Sequence, residues 1–146
     1  MSFEKIKINI LGKGIITLKS QLDESFVNYM VQAEQNKQIF AMQIFAETYA
    51  KQTNTFFCLD PSLTSIVIAG LAKYKNKYGL PLCPCRNYHS EKAEIELNYW
   101  ICPCVSMRER KECHCKLFMQ PDERGVSKIQ DLSLRVIYKN IEKKKL

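Results

Sequence analysis

The chain has 146 residues, 46% of them apolar, with only five Gly and five Pro, which is enough to bury one core and sets the expectation of a single globular unit. No uncharged apolar run of the roughly eighteen residues that a membrane helix needs occurs, so a transmembrane span is excluded. The formal charge of +7 implies an acidic partner, either nucleic acid or protein.

The first residues carry Glu4, Asp23 and Glu24 and no long apolar stretch. They match neither a secretory signal nor an acid-poor transit peptide, and synthesis in the compartment of use is expected. Residues 1–37 read as an N-terminal extension or arm, with strand-like alternation over Lys5–Ile10 and a polar stretch at Gln35-Asn36-Lys37. From Gln38 to Lys51, the residues Ile39, Met42, Ile44, Phe45 and Tyr49 recur at helical spacing and predict an amphipathic helix. Asp60-Pro61 places an N-cap acceptor before a proline whose missing N–H costs nothing there, so a helix is predicted from this point to about Tyr78. Gly79 and Pro81 stop it and deliver the chain into Cys83. Ser90 caps a short predicted helix running through Leu97, and another is predicted from Val105 to Glu112, after Pro103. Lys128–Ile141 fits both alternation (Leu132, Leu134, Val136, Tyr138) and helical spacing (Ile129, Leu132, Val136, Ile141), and is read as helix. The expected architecture is mainly α. Its core domain covers 38–126, residues 127–146 pack on it as a C-terminal helix or tail, and the basic end Lys139–Lys145 is solvated.

Seven cysteines are present, six of them between positions 83 and 115. An odd count without a secretion signal argues against a disulfide framework and for metal binding or redox chemistry. The six form Cys83-Pro84-Cys85, Cys102-Pro103-Cys104 and Cys113-His114-Cys115, separated by sixteen and then eight residues. Structural zinc favours two or more residues between paired cysteines, which makes zinc the weaker reading. A 4Fe-4S cluster takes four thiolates, leaving two for a dithiol and disulfide couple. Spacing alone leaves open which four would bind iron. Cys58, after Phe56-Phe57, reads as a buried, hydrophobe-like thiol, and Trp100 as packing that keeps water from the metal site. Arg108, Arg110 and Lys111, mixed with Glu109 and Glu112, fit either a solvated helix face or a docking surface for an acidic partner.

The order Cys-Pro-Cys, sixteen residues, Cys-Pro-Cys, eight residues, Cys-His-Cys resembles the signature of the ferredoxin-thioredoxin reductase catalytic subunit family. The resemblance extends through FAETYAKQTNTFFCLD (Phe45–Asp60), GLPLCPCRNY (Gly79–Tyr88) and CPCVSMRERKECHCKLF (Cys102–Phe118), covering roughly residues 38–125. It implies a helical domain wrapped around one 4Fe-4S cluster ligated by Cys83, Cys102, Cys104 and Cys113. It further implies an active disulfide between Cys85, the more exposed nucleophile, and Cys115, held against the cluster. His114, inside the third pair, becomes the candidate proton donor, while His89 stays a surface residue. The implied partners are a variable subunit of β-barrel fold in a heterodimer, ferredoxin and thioredoxins, with no nucleic acid and no membrane. The implied location is the plastid stroma, with an organelle-encoded chain, or alternatively a cyanobacterial cytoplasm. Two competing readings are a zinc-binding nucleic-acid module and a simple 4Fe-4S electron-transfer protein with no dithiol partner.

Overall fold

The computed structural model describes residues 24–145, and among them the architecture is mainly α, as expected. The strand expected over Lys5–Ile10 lies outside the described residues. The chain divides into two compact units at Lys37 and Gln38. In the first, the described residues are the opening turns of helix α1 (Glu24–Thr53), where Gln32 donates to Asn36 one turn later at 2.9 Å. Residues 24–37, expected as part of an arm, are therefore helical. The stretch is polar but contains neither Gly nor Pro, so nothing in it breaks a helix.

In the second unit, α1 gives Ile39, Met42, Ala46 and Ala50 to the core, spaced a turn apart along one face. Phe45 and Tyr49 flank that face and meet Phe118 edge-on, Tyr49 at 4.8 Å between ring centroids. Ile44, grouped with them on sequence, is exposed instead. Helix α2 (Pro61–Tyr78) starts and stops where its caps require. The Asp60 carboxylate accepts from the Ser62 N–H at 3.0 Å, and Gly79 takes the left-handed conformation at φ 82°. Its buried residues include Val67, Ile68, Leu71 and Ala72, and the helix packs on helix α5 (Leu134–Lys145), whose Ile137 is buried. Asn140 donates to Ser65 across that contact at 3.2 Å.

Helix α5 begins later than Lys128 because the preceding backbone is engaged elsewhere. Ser127 N–H donates to Phe57 O, and Phe57 N–H to Ile129 O. Leu132 N–H donates to the Glu47 carboxylate, while Leu132 O accepts from Gln43. A backbone committed in this way cannot also enter a helix. Helix α5 then runs to Lys145 and includes the basic end. Short helix α3 (Glu91–Leu97) is capped by Ser90, as expected. Helix α4 (Val105–Arg110) ends two residues before Glu112, because Lys111 turns left-handed at φ 57° and closes it. Isolated antiparallel bridges tie Phe56 to Met119, Cys58 to Val126 and Leu82 to Ile101.

Candidate redox and metal centre

The three cysteine pairs fall at helix ends and turns. After α2 stops, Cys83 N–H donates to Trp100 O at 2.9 Å and Cys102 N–H to Pro81 O at 2.8 Å. The first two pairs therefore leave from the same short bridge. Pro84 lies against α2 at Gly70, where an added Cβ would come within 2.5 Å of the Pro84 Cβ. Only glycine lets the turn approach the helix this closely. The Tyr88 hydroxyl closes the turn by donating to Cys83 O at 2.6 Å. The Cys102–Pro103 peptide is cis, and Cys104 occupies the N-cap position of α4. Past the end of α4 the chain passes through Cys113, His114 and Cys115 into the buried Leu117 and Phe118.

Cys85 and Cys115 are joined by a disulfide with their Cα atoms 5.5 Å apart. Cys115 is buried and Cys85 half-buried, so one sulfur of the bond faces inward and the other reaches towards solvent. The Cys83 sulfur lies 3.1 Å from that of Cys115, and the sulfurs of Cys83, Cys85 and Cys115 all lie within 4.8 Å of one another. The disulfide engages two of these three. The thiols left free around the same apolar cavity are Cys83, Cys102, Cys104 and Cys113, enclosed by Val67, Leu71, Met107, Leu117 and Phe118.

Burial pushes the thiols of Cys83, Cys102 and Cys113 above their ordinary pKa, and the neighbouring thiols add to this by like-charge repulsion. For Cys113, backbone N–H groups of Phe118, Leu117 and Cys115 pull the other way. Crowded buried thiolates are unfavourable unless a cationic centre compensates them. Four converging sulfurs with N–H donors and apolar walls fit an iron-sulfur cofactor. Cys83, Cys102, Cys104 and Cys113, free and lining the one cavity, could hold it.

His114 is exposed, and it borders the buried cavity as well as two surface clefts. One cleft carries Arg86, Arg110, Lys111 and Lys116 together with Glu112 and Glu123, which pair with Arg110 and Lys116, and keeps a basic excess. The other exposes Cys85 beside His89, Glu94 and Trp100. Arg108 donates to Pro103 O at 2.9 Å, and Arg110 to Ser106 at 3.1 Å. Cys58 is half-buried rather than buried, because it sits at the edge of a bridge where its sulfur accepts the Asp60 N–H. Trp100 does not line the cavity; its ring instead carries the Arg86 guanidinium at 3.4 Å. Sequence reasoning missed Arg86, Tyr88 and Gly70. Of these, only Gly70 left a signal, as a glycine inside a helix where alanine would be preferred by about 1 kcal/mol.

The family described as "Ferredoxin thioredoxin reductase catalytic beta chain" matches residues 32–140. The chain belongs to that family. It is 57% identical over 101 residues to the ferredoxin-thioredoxin reductase catalytic chain of Porphyra purpurea, covering 69% of this chain and 86% of that one. The corresponding chain of Synechocystis sp. is 51% identical over 104 residues, covering 71% and 88%. The chloroplastic catalytic chain of Arabidopsis thaliana is 46% identical over 112 residues, covering 75% and 77%. Ferredoxin-thioredoxin reductases are oxidoreductases, and the disulfide lying against a thiol cluster accords with that class. Among the described residues, no helix is long and apolar enough to cross a membrane.

Proposed function

We propose that this chain is the catalytic half of a ferredoxin-thioredoxin reductase and reduces thioredoxin disulfides with electrons from ferredoxin. The observation that carries the reading is the Cys85–Cys115 disulfide with the Cys83 sulfur 3.1 Å from its buried end. A 4Fe-4S cluster held by Cys83, Cys102, Cys104 and Cys113 would supply electrons singly, and two of them with two protons open the disulfide to a dithiol. The residues then act in sequence. Cys85, half-exposed in its cleft, attacks one sulfur of the thioredoxin disulfide, forms a mixed disulfide and expels the other sulfur, which takes a proton. Cys115 attacks Cys85, re-forms the internal disulfide and releases thioredoxin as a dithiol. His114 borders both the cavity and the Cys85 cleft, which suits it to carry protons between solvent and the sulfurs.

The cleft bearing Arg110, Lys111 and Lys116 has the charge to receive an acidic ferredoxin. A variable subunit would complete a heterodimer. The chloroplastic Arabidopsis relative and the Lys, Asn and Ile richness support a plastid stroma and an organelle-encoded chain, with a cyanobacterial cytoplasm as the alternative. The test is to assay iron, sulfide and zinc in protein purified without oxygen, then reduction of thioredoxin by reduced ferredoxin. Iron and sulfide in equal amounts with thioredoxin turnover are expected. Zinc without iron, or iron without turnover, overturns the reading.

A further inference from the structure

Opening the disulfide removes the covalent tie that holds Cys85 to Cys115, and the turn carrying Cys85 has few backbone ties to replace it. Among the described residues, no backbone-to-backbone hydrogen bond ties residues 84–89 to a segment beyond the turn itself. Side chains hold the turn instead: Pro84 against Gly70, Tyr88 on Cys83 O, and Arg86 on Trp100. Of these three, Arg86 is the residue that directly follows Cys85 on the exposed side.

Its guanidinium lies 3.4 Å from the centre of the Trp100 ring, within the range where a cation is attracted to an aromatic face. Its Nε is buried without a hydrogen-bond partner. An unsatisfied N–H is unfavourable, so no ladder of hydrogen bonds explains the placement, whereas the stack does. Trp100 is itself fixed. Tyr99 packs edge-on against it at 4.5 Å, and its carbonyl accepts the Cys83 N–H at 2.9 Å. The stack thus links the residue after Cys85 to the bridged segment that leads into Cys102.

We infer that Arg86 is a positioning residue whose stack on Trp100 keeps Cys85 beside Cys115 once the disulfide has opened. It deepens the reading that Cys85–Cys115 is the working disulfide and rests on it. Holding two thiols close raises their effective concentration and favours ring closure, as preorganisation does generally. The stack therefore makes the Cys85–Cys115 potential more negative.

The test equilibrates the cluster-loaded protein with dithiothreitol couples and reads alkylation of Cys85 by peptide mass spectrometry. Neither ferredoxin nor thioredoxin is present, so a wrong assignment of the physiological reaction would show in the turnover assay and not here. Arg86→Ala should lower the closure constant about tenfold, a potential about 30 mV less negative. Trp100→Leu should do the same, and the double variant should go no further, because both remove one interaction. Arg86→Lys should keep the charge yet lose most of the effect, since a planar stack is not reproduced by an ammonium group. Trp100→Phe, which keeps an aromatic face, should change the constant less than about threefold. Full rescue by Arg86→Lys, or strictly additive losses in the double variant, overturns the inference. So does an unchanged potential in Arg86→Ala. If either truncation fails to retain the cluster's visible absorption, Arg86→Lys and Trp100→Phe decide by themselves: a large shift in the first and a small one in the second support the stack, and the reverse refutes it.

Discussion

Two stretches of the second unit are held by different forces. Along the seam from Phe56 to Leu59, three of the four residues carry backbone pairs: Phe56 with Met119, Phe57 with Ser127 and Ile129, Leu59 with Gly125. Side chains reinforce it, Ser127 donating to Phe57 O at 2.6 Å and Gln130 to Thr55 O at 3.0 Å. The cysteine turns share one short bridge, to which Val105 N–H on Tyr99 O and Lys116 N–H on Cys113 O add, and the stretch carrying Cys85 depends on a disulfide, a cation stacked on an indole, a tyrosine on a carbonyl and a proline fitted against a glycine. A seam built of backbone pairs keeps its shape whatever the redox state. Turns built of side-chain contacts can lose one bond and change, which is what a disulfide that opens and closes requires.

The largest expected effect lies in the turns. Cys85→Ser should abolish thioredoxin reduction, by more than about a thousandfold, while the visible absorption of the iron-sulfur cofactor remains. If the absorption is lost, Cys85 is a ligand and the proposed division of the six thiols is wrong. Next comes Gly70→Ala. Helix propensity favours alanine by about 1 kcal/mol, whereas forcing a Cβ into Pro84 costs about 1–3 kcal/mol. The gain offsets part of the cost, so a net loss of no more than about 2 kcal/mol is expected in denaturant unfolding. The displaced turn should nonetheless cut turnover about tenfold or more, because small misplacements of reacting groups are expensive. Normal turnover would show that the Pro84 contact does not set the position of Cys85. Ser127→Ala tests the other stretch. Losing the bond to Phe57 O and the acceptor for Ile129 N–H should cost about 1–2 kcal/mol in denaturant unfolding, with turnover per folded molecule unchanged. A selective loss of activity would contradict the separation of the two stretches.

This difference also explains what could be read from the sequence. Asp60-Pro61, Gly79 and Ser90 act through neighbours within one turn, so α2 and α3 begin and end where local chemistry places them. The cysteine spacing was legible for a similar reason, since each pair needs only a turn at a helix end. Residues 128–133 were not legible. Their fit to a helix is real, but Phe57, Gln43 and Glu47 claim their backbone from far along the chain. The start of α1 at Glu24 is not marked in the sequence, because the polar run Gln35-Asn36-Lys37 resembles a break although it holds no helix-breaking residue. Arg86 and Tyr88 gave no local signal at all, because their partners, Trp100 and the Cys83 carbonyl, are defined only once the turns have folded.

The smallest expected effect concerns the joint between α2 and α3, just beyond the cysteine turn. Glu91 accepts from the Tyr74 hydroxyl at 2.8 Å and the Tyr78 hydroxyl at 2.7 Å, with Lys77 at 3.4 Å. These hydrogen bonds, Tyr78 first and then Tyr74, hold its carboxyl below the ordinary carboxylate pKa. Tyr74 is pushed up to about 12, by burial first and then by Glu91, so it remains a donor at any working pH. A carboxyl with a lowered folded-state pKa contributes stability that is present above its unfolded value of about 4.3 and is lost as the pH falls through the lower, folded value. Glu91→Gln removes the titrating group but leaves an acceptor oxygen, so the fold should survive. Wild type should melt higher than Glu91→Gln at pH 7, and the gap should close as the pH falls below about 4. Thermal melts of the two proteins side by side would read this. A gap constant from neutral to acid pH would mean that the charge on Glu91 plays no part, and no gap at any pH would mean that the joint is held by packing of the two tyrosine rings, 6.2 Å apart.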